Sequence, residues 1–534
     1  MKKLVSIALA VFVLAVSICG CAKTPSSSQQ GASSAAADSS EAASQPEERY
    51  TFKIAKALSG VPDDNSAVET YWEEKRNCNF EILYLETANY AELLNLELSG
   101  GSNIPDVFSS STSRATMVGY YNQGYLGGFT KEFLKENAPL IYDEIEKKAG
   151  DVGFAVATID SLMYTLPQVN VNAMYPPPTI WNLDWLKAVG FEGTPTTLNE
   201  FKDVLYKFAN NDPDGNGKKD TYGFSSGALS MFYGAFGVAE DIWLEQSDGT
   251  LAYDIMQEGG KDALAFLAQM YADGILDPEF ITGENKGGYW AISHSFAEER
   301  IGLTGLGQFY HWCTPEAVEM GCNAIATPTV LPETNPDLQF GFGDAPVGPD
   351  GKFGTPTGAA AYPDCVFSKQ FVADEARFKK FLSICETTGG YKNVEDYFVS
   401  YLGIENEHWE YKNDIPMVKE EFSAVDSYCA RGANGMLAFS YASDAYKKAN
   451  GARFVWADKQ YGEIKTHGYT NALIDVLPSQ GDYLDEVTTL LDDAKIAIIT
   501  GEQPISYYDT VVEQFNSIGG DVLTKEANEI YKAS

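Results

Sequence analysis

The chain has 534 residues, with 38 basic against 75 acidic side chains and a formal net charge of −37. A field of that sign repels nucleic acid and anionic lipid and supports solubility, while it says little about a neutral ligand. Beyond the N-terminal stretch, roughly 485 residues of mixed composition are too many for one core, so two or more lobes are expected.

Lys2 and Lys3 precede a short apolar run, residues 4–18, that suits a signal peptide and is too short to span a bilayer comfortably. It ends in Ile18-Cys19-Gly20-Cys21. These residues resemble the lipobox of bacterial lipoproteins, which implies lipidation of Cys21 and anchoring on the outer face of the cell membrane. The other reading is an ordinary secretory signal with incidental cysteines. Residues 22–48 are rich in Ser, Ala and Gln and cannot bury enough surface to offset their ordering entropy, so a flexible tether is expected. Cys78, Cys313, Cys322, Cys365, Cys385 and Cys429 show no zinc-type spacing. Free, mostly buried thiols are expected, with Cys313–Cys322 open to pairing if geometry allows.

From residue 49 the pattern alternates. Residues 51–57 read as a strand, and Ser66-x-x-Glu69 as a capping box opening a helix to Arg76. Residues 80–85 form a second strand, and 90–98 a helix stopped by Ser99-Gly100-Gly101. Pro105-Asp106-Val107-Phe108 is a third strand. This β-α-β-α-β order predicts a parallel sheet with its ligand site past the strand C-termini, at the loops 58–65 and 109–113. Tyr164-Thr165-Leu166-Pro167 reads as an extended crossing segment. Thr197-x-x-Glu200 opens a helix with Leu198, Phe201, Leu205 and Phe208 on one core face. Amphipathic helices are also expected over 261–273, 377–386 and 485–500, and an apolar strand over 300–304.

The order of several motifs resembles the extracellular solute-binding lipoproteins of bacterial sugar importers, the maltose-binding-protein-like family. They are Pro105-Asp106-Val107, Gly124-Tyr125-Leu126-Gly127-Gly128-Phe129-Thr130, Tyr164 to Pro167, Asp184 to Phe191, Pro195 to Phe201, Asp212 to Gly217, Asp273 to Phe280, and Ile499-Thr500-Gly501-Glu502. Asn182-Leu183 departs from the basic pair that relatives often carry there. The resemblance implies an α/β, two-lobed periplasmic-binding-protein-like fold of type II with the ligand between lobes that close by hinge bending. It places the N-lobe at 49–165 with a return at 356–409, and the C-lobe at 166–355 with 410–534. It implies a carbohydrate ligand, permease subunits of an ABC importer as partners, a monomer, and no catalysis. A peptide or other polar solute stays open, because a fold does not fix its ligand.

Asp212-Pro213-Asp214-Gly215-Asn216-Gly217-Lys218-Lys219-Asp220 has the spacing of the first nine positions of an EF-hand loop. Hard oxygen donors on Asp212, Asp214, Asn216 and Asp220, with the Lys218 carbonyl, select calcium over zinc. Gly223 stands where the bidentate Glu of position twelve is expected, so Asp220 would have to be bidentate or another residue must complete the shell; a metal-free acidic turn is the alternative. In the family such loops are structural clamps.

Sugars pack their C–H faces on aromatic rings and hydrogen-bond planar polar groups. Gln308, Tyr310 and Trp312, after the apolar strand, are the leading ligand contacts, with Trp181, Trp243 and Trp290 behind them. Loop position alone adds Ser59, Asp63, Asp64, Ser109 and Ser111. A buried Trp is more often core than platform, and Trp185 is assigned to the core. Gly223-Phe224-Ser225-Ser226-Gly227 matches the nucleophile elbow of hydrolases but follows the acidic loop directly. His294, His311, His408 and His467 show no metalloprotease spacing. A surface hydrolase of glycans or esters is the alternative function.

Overall fold

The computed structural model describes residues 48–533 except 59, 87–88, 102–103, 110–112, 285–291, 313–316, 318–334 and 336. The signal segment, the tether, Cys313 and Cys322 lie outside the described residues. Among the described residues no helix is long and apolar enough to cross a membrane, and Cys78, Cys365, Cys385 and Cys429 are buried free thiols.

Strand Tyr50–Leu58 alternates its contacts: Phe52 and Ile54 enter one core, and Ala55 a second, smaller one. It pairs in parallel with Cys78–Glu86 on one side and Val107–Ser109 on the other. Helices Ala67–Arg76 and Tyr90–Gly100 make the connections, and the second ends at Gly101 with φ of 69°, a conformation that favours glycine. Ala361–Phe367 and Thr165–Val169 extend the sheet in antiparallel fashion. The expected parallel unit is therefore present, completed by two strands distant in sequence.

One helix start differs from expectation. Ser66 makes no side-chain cap, and its Oγ is buried without a hydrogen-bond partner among the described residues. The Val68 N–H donates instead to the carbonyl of Arg431 at 3.1 Å, so a distant segment does the capping. At Thr197 the box forms: Thr197 Oγ1 accepts from Glu200 N and Glu200 accepts from Thr197 N.

A second sheet, in the order Phe340–Gly343, Thr179–Asn182, Ile301–Thr304, Tyr222–Phe224, lies over its own core. Helix Leu198–Asn210 contributes Phe201, Val204, Leu205 and Phe208, all fully buried. Helix Gln480–Ile499 adds Val487, Leu491 and Ile498 to the same core. Burying each such side chain stabilises by about 1.5–3 kcal/mol.

Trp409, Tyr428, Leu437, Phe439 and Ala449 pack in the first core, with Phe52 and Phe381. Tyr428, Leu437, Phe439 and Ala449 thus lie past residue 409, where the return segment is expected to end. The hydrophobic run that ends the return was hidden because residues 410–449 form a small hairpin and short helices rather than one periodic element. Three stretches, 170–178, 344–360 and 450–470, pass between the cores. They lie side by side: Asn170 N donates to Ala360 O at 2.8 Å, Thr355 N to His467 O at 3.0 Å, and Thr357 N to Tyr469 O at 2.8 Å.

Candidate functional site

Where these stretches meet the second sheet, they border a polar pocket of about 370 Å³ lined by Asn170, Asn172, Pro177, Gln308, Tyr310 and Thr357. Strand Thr165–Val169 delivers Asn170, whose Nδ2 donates to Ala359 O at 3.1 Å and whose Oδ1 accepts from Ala173 N at 3.3 Å. Gly358 is needed here, since a Cβ would sit 2.7 Å from the Asn170 Nδ2. Asn172 Oδ1 is buried and has no partner among the described residues, leaving an acceptor beside the pocket.

Gln308 and Tyr310 come from the turn after Ile301–Thr304. Gly307, at φ of 98°, lets the chain reverse into the short 3-10 helix Phe309–His311. Gln308 N donates to His311 Nδ1 at 3.1 Å, and Trp312 Nε1 to Leu306 O at 2.8 Å. Burial and the nearby Arg453 lower the His311 imidazole to a pKa of about 4, so it stays neutral as the acceptor. The Arg453 guanidinium lies 4.8 Å from the Tyr310 ring centre.

The structure brings Gln308 and Tyr310 together and separates the other sequence candidates. Trp181 is fully buried against Phe201 and Phe208, because Thr179–Asn182 is an interior strand of its sheet. Trp312 is fully buried between Phe296 and Phe340. Trp243 is 4% exposed and packs on Tyr253. These three have no face to offer a sugar ring. Asp63 and Asp64 are exposed beyond the end of Tyr50–Leu58, and Ser109 ends its strand. Ser59, Ser111 and Trp290 lie outside the described residues. Asn170, Asn172 and Thr357 escaped sequence reading; the Asn-Val-Asn run directly after a crossing strand was the available signal.

The acidic loop curls on itself as its glycines allow, with Gly215 and Gly217 at φ of 67° and 77°. Asn216 Nδ2 donates to Asp214 Oδ2 at 2.6 Å and to Asp220 Oδ1 at 3.2 Å, and Gly217 N donates to Asp212 Oδ2 at 3.0 Å. Asp212 Oδ1 is buried without a hydrogen-bond partner among the described residues, and desolvation with the neighbouring Asp212 and Asp220 raises the Asp214 carboxyl. Among the described residues no group of three or more His, Cys, Asp or Glu side chains is arranged as a finished metal centre. The donor set itself, hard oxygens with one orphaned acceptor and mutual repulsion, fits a divalent cation such as calcium.

Ser225 gives no nucleophile. It is 1% exposed, has extended backbone, and bonds the buried Glu284 carboxylate, which also accepts from Gly227 N at 2.8 Å and Thr304 Oγ1 at 2.6 Å.

No family model matches the chain. A polygalacturonan/rhamnogalacturonan-binding protein of Bacillus subtilis, YtcQ, is 23% identical over 490 residues, 88% of this chain and 89% of its own length. The lipoprotein LipO of the same organism is 26% identical over 383 residues, 66% and 68% of the two chains. The chain is similar to substrate-binding proteins of this kind. Solved structures of this class share the fold. An HMO-binding, ABC-transporter-associated solute-binding protein from Bifidobacterium longum infantis superposes with a TM-score of 0.65 over 90% of this chain and 98% of its own, at 14% identity. An EF-hand mutant of the Streptococcus pneumoniae substrate-binding protein FusA, bound to fructo-nystose, gives 0.58 over 90% and 99% at 15% identity. The two cores joined by crossing segments match the two-lobed fold of these structures, and the hydrolase alternative finds no support.

Proposed function

We propose that this chain captures a carbohydrate, in the first place an oligosaccharide, between its two lobes and delivers it intact to the membrane subunits of an ABC importer. The carrying observation is the polar pocket at the crossing segments, where Asn172, whose buried oxygen has no partner among the described residues, meets Gln308 and Tyr310 between two separately built cores. Amides and a tyrosine are the groups that read hydroxyls and C–H faces, and no activated nucleophile stands among them. Relatives named for glycan binding support the ligand class. In this reading the lobes comprise 49–169 with 361–449, and 179–343 with 471–534. The monomeric protein hangs outside the cell membrane from a lipid on Cys21, with 22–48 as tether. One calcium ion, held by Asp212, Asp214, Asn216, Asp220 and the Lys218 carbonyl, clamps its loop in a structural role.

A glycan array probed with the chain lacking residues 1–21 tests the reading. Binding of an oligosaccharide that is recovered uncleaved after prolonged incubation supports it. Shortened products, or no glycan bound anywhere on the array, would overturn it.

A further inference from the structure

Segment 471–477 is built into the second lobe. Ala472 N donates to Trp243 O at 2.9 Å, Trp243 N donates to Asn471 Oδ1 at 3.1 Å, and Leu473 and Leu477 enter the second core. Between those two leucines, Ile474 and Asp475 reach the first lobe instead. Ile474 packs on a small cluster of Ala149, Val156, Val169 and Ala361, and Asp475 pairs with Arg114, the first residue of helix Arg114–Asn122. The contact lies at the root of the crossing stretches, since Val169 and Ala361 are the strand residues next to 170–178 and 344–360.

The first lobe orients the Arg114 guanidinium by itself. Its Nη1 donates to Ala155 O at 2.8 Å and Val156 O at 2.9 Å, and its Nη2 to Thr158 O at 2.8 Å. The carboxylate comes from the other lobe, where Asp475 Oδ1 accepts from Nε at 3.0 Å and from Nη2. An exposed ion pair usually contributes little, because ordering two flexible side chains offsets its Coulomb gain. That cost is reduced here, as Arg114 is largely buried and already tied to three carbonyls while Asp475 is short. Hydrogen bonds weaken steeply when stretched or tilted, so bending the lobes strains this pair and leaves the bonds within each lobe intact.

We propose that Arg114 and Asp475 form an interlobe latch that favours the lobe arrangement of this structure. The angle between the lobes then responds to one ion pair outside the ligand pocket. A ligand that prefers another angle must break the latch, and it binds more weakly for that reason. The proposal needs two lobes able to bend and no particular ligand.

The test measures the distance between spin labels at Glu92 and Asp262, exposed helix positions in the first and second lobe, with X-ray scattering alongside. The labels are attached through genetically encoded keto side chains, because the chain has cysteines of its own. Arg114 is left unchanged, since it also ties the first lobe together; Asp475 is half-exposed, and Asp475→Asn should melt within a few degrees of wild type. Without ligand and at low salt, Asp475→Asn should show a broader distance distribution than wild type, with its mean moved by several ångströms. Raising sodium chloride from about 0.05 M to about 1 M should move wild type toward the variant and leave the variant in place. Distributions and scattering curves that superimpose at low salt, or a change in the variant that salt does not reproduce in wild type, would overturn the latch. Neither result bears on whether the pocket takes a carbohydrate.

Discussion

His311 shows how one buried side chain holds the turn that carries Gln308 and Tyr310. Its Nδ1 accepts the Gln308 N–H, which requires a neutral ring, and burial lowers its pKa from 6.5 to about 4. The unfolded chain therefore takes up the proton more readily than the folded one. The stabilisation is fully present above pH 6.5 and is lost as the pH falls through 4, worth at most on the order of 3 kcal/mol. His311→Asn keeps an acceptor and removes the titration. Across that window, wild type should lose more stability in urea titrations than the variant; parallel loss would refute the linkage. A second contrast separates pocket from core. Tyr310→Ala should weaken ligand binding at least tenfold with a modest change in melting temperature. Trp181→Ala, deep in the second core, should cost about 3–5 kcal/mol of stability and leave the affinity of the folded protein nearly unchanged. Composition marked both as aromatic candidates, because an aromatic in a strand reads alike whether its sheet position is interior or at a strand's end. Only the neighbours tell them apart, Phe201 and Phe208 for one and Arg453 for the other.

At the scale of elements, local signals carried well where local contacts decide. The helix Leu198–Asn210 was legible from its apolar spacing and its box, and Thr197→Ala should cost about 1 kcal/mol, measured by chemical denaturation. Ser66 carries the same signature yet its helix is capped by Arg431 O, a contact that no reading of neighbouring residues reveals. Ser66→Ala should accordingly fall within about 0.5 kcal/mol of wild type. The 212–220 loop is also a local pattern, and its glycine turns are in place, with Asn216 and Gly217 donating to the Asp214, Asp220 and Asp212 carboxylates. Chelation should lower the melting temperature of wild type, calcium should restore it, and Asp220→Ala should abolish the response. An unchanged melt after thorough metal removal would sink the calcium reading.

For the whole molecule, the first βαβ unit could be read from pattern. The extended run expected to cross at 164–167 is instead a strand of the first sheet, with the crossing just after it. The return of 410–449 to the first core could not be read, since its members gather only in three dimensions. That return matters for motion. It brings Tyr446 against Phe454, which also packs on Tyr175 and Phe309, so helix Gly451–Glu463 touches the first lobe, the crossing stretch and the pocket turn together. Bending of the crossing stretches must disturb this cluster, and Trp456 sits within it, fully buried against Phe342. Every tryptophan among the described residues is buried, so direct stacking on ligand is not the source of any fluorescence response they give. Closure on an oligosaccharide should reduce the radius of gyration in X-ray scattering and shift the emission of wild type. In Trp456→Phe the compaction should persist while most of the emission change disappears. A full emission change in that variant would place the reporter elsewhere, and saturation with ligand without any compaction would show that the two lobes do not hinge.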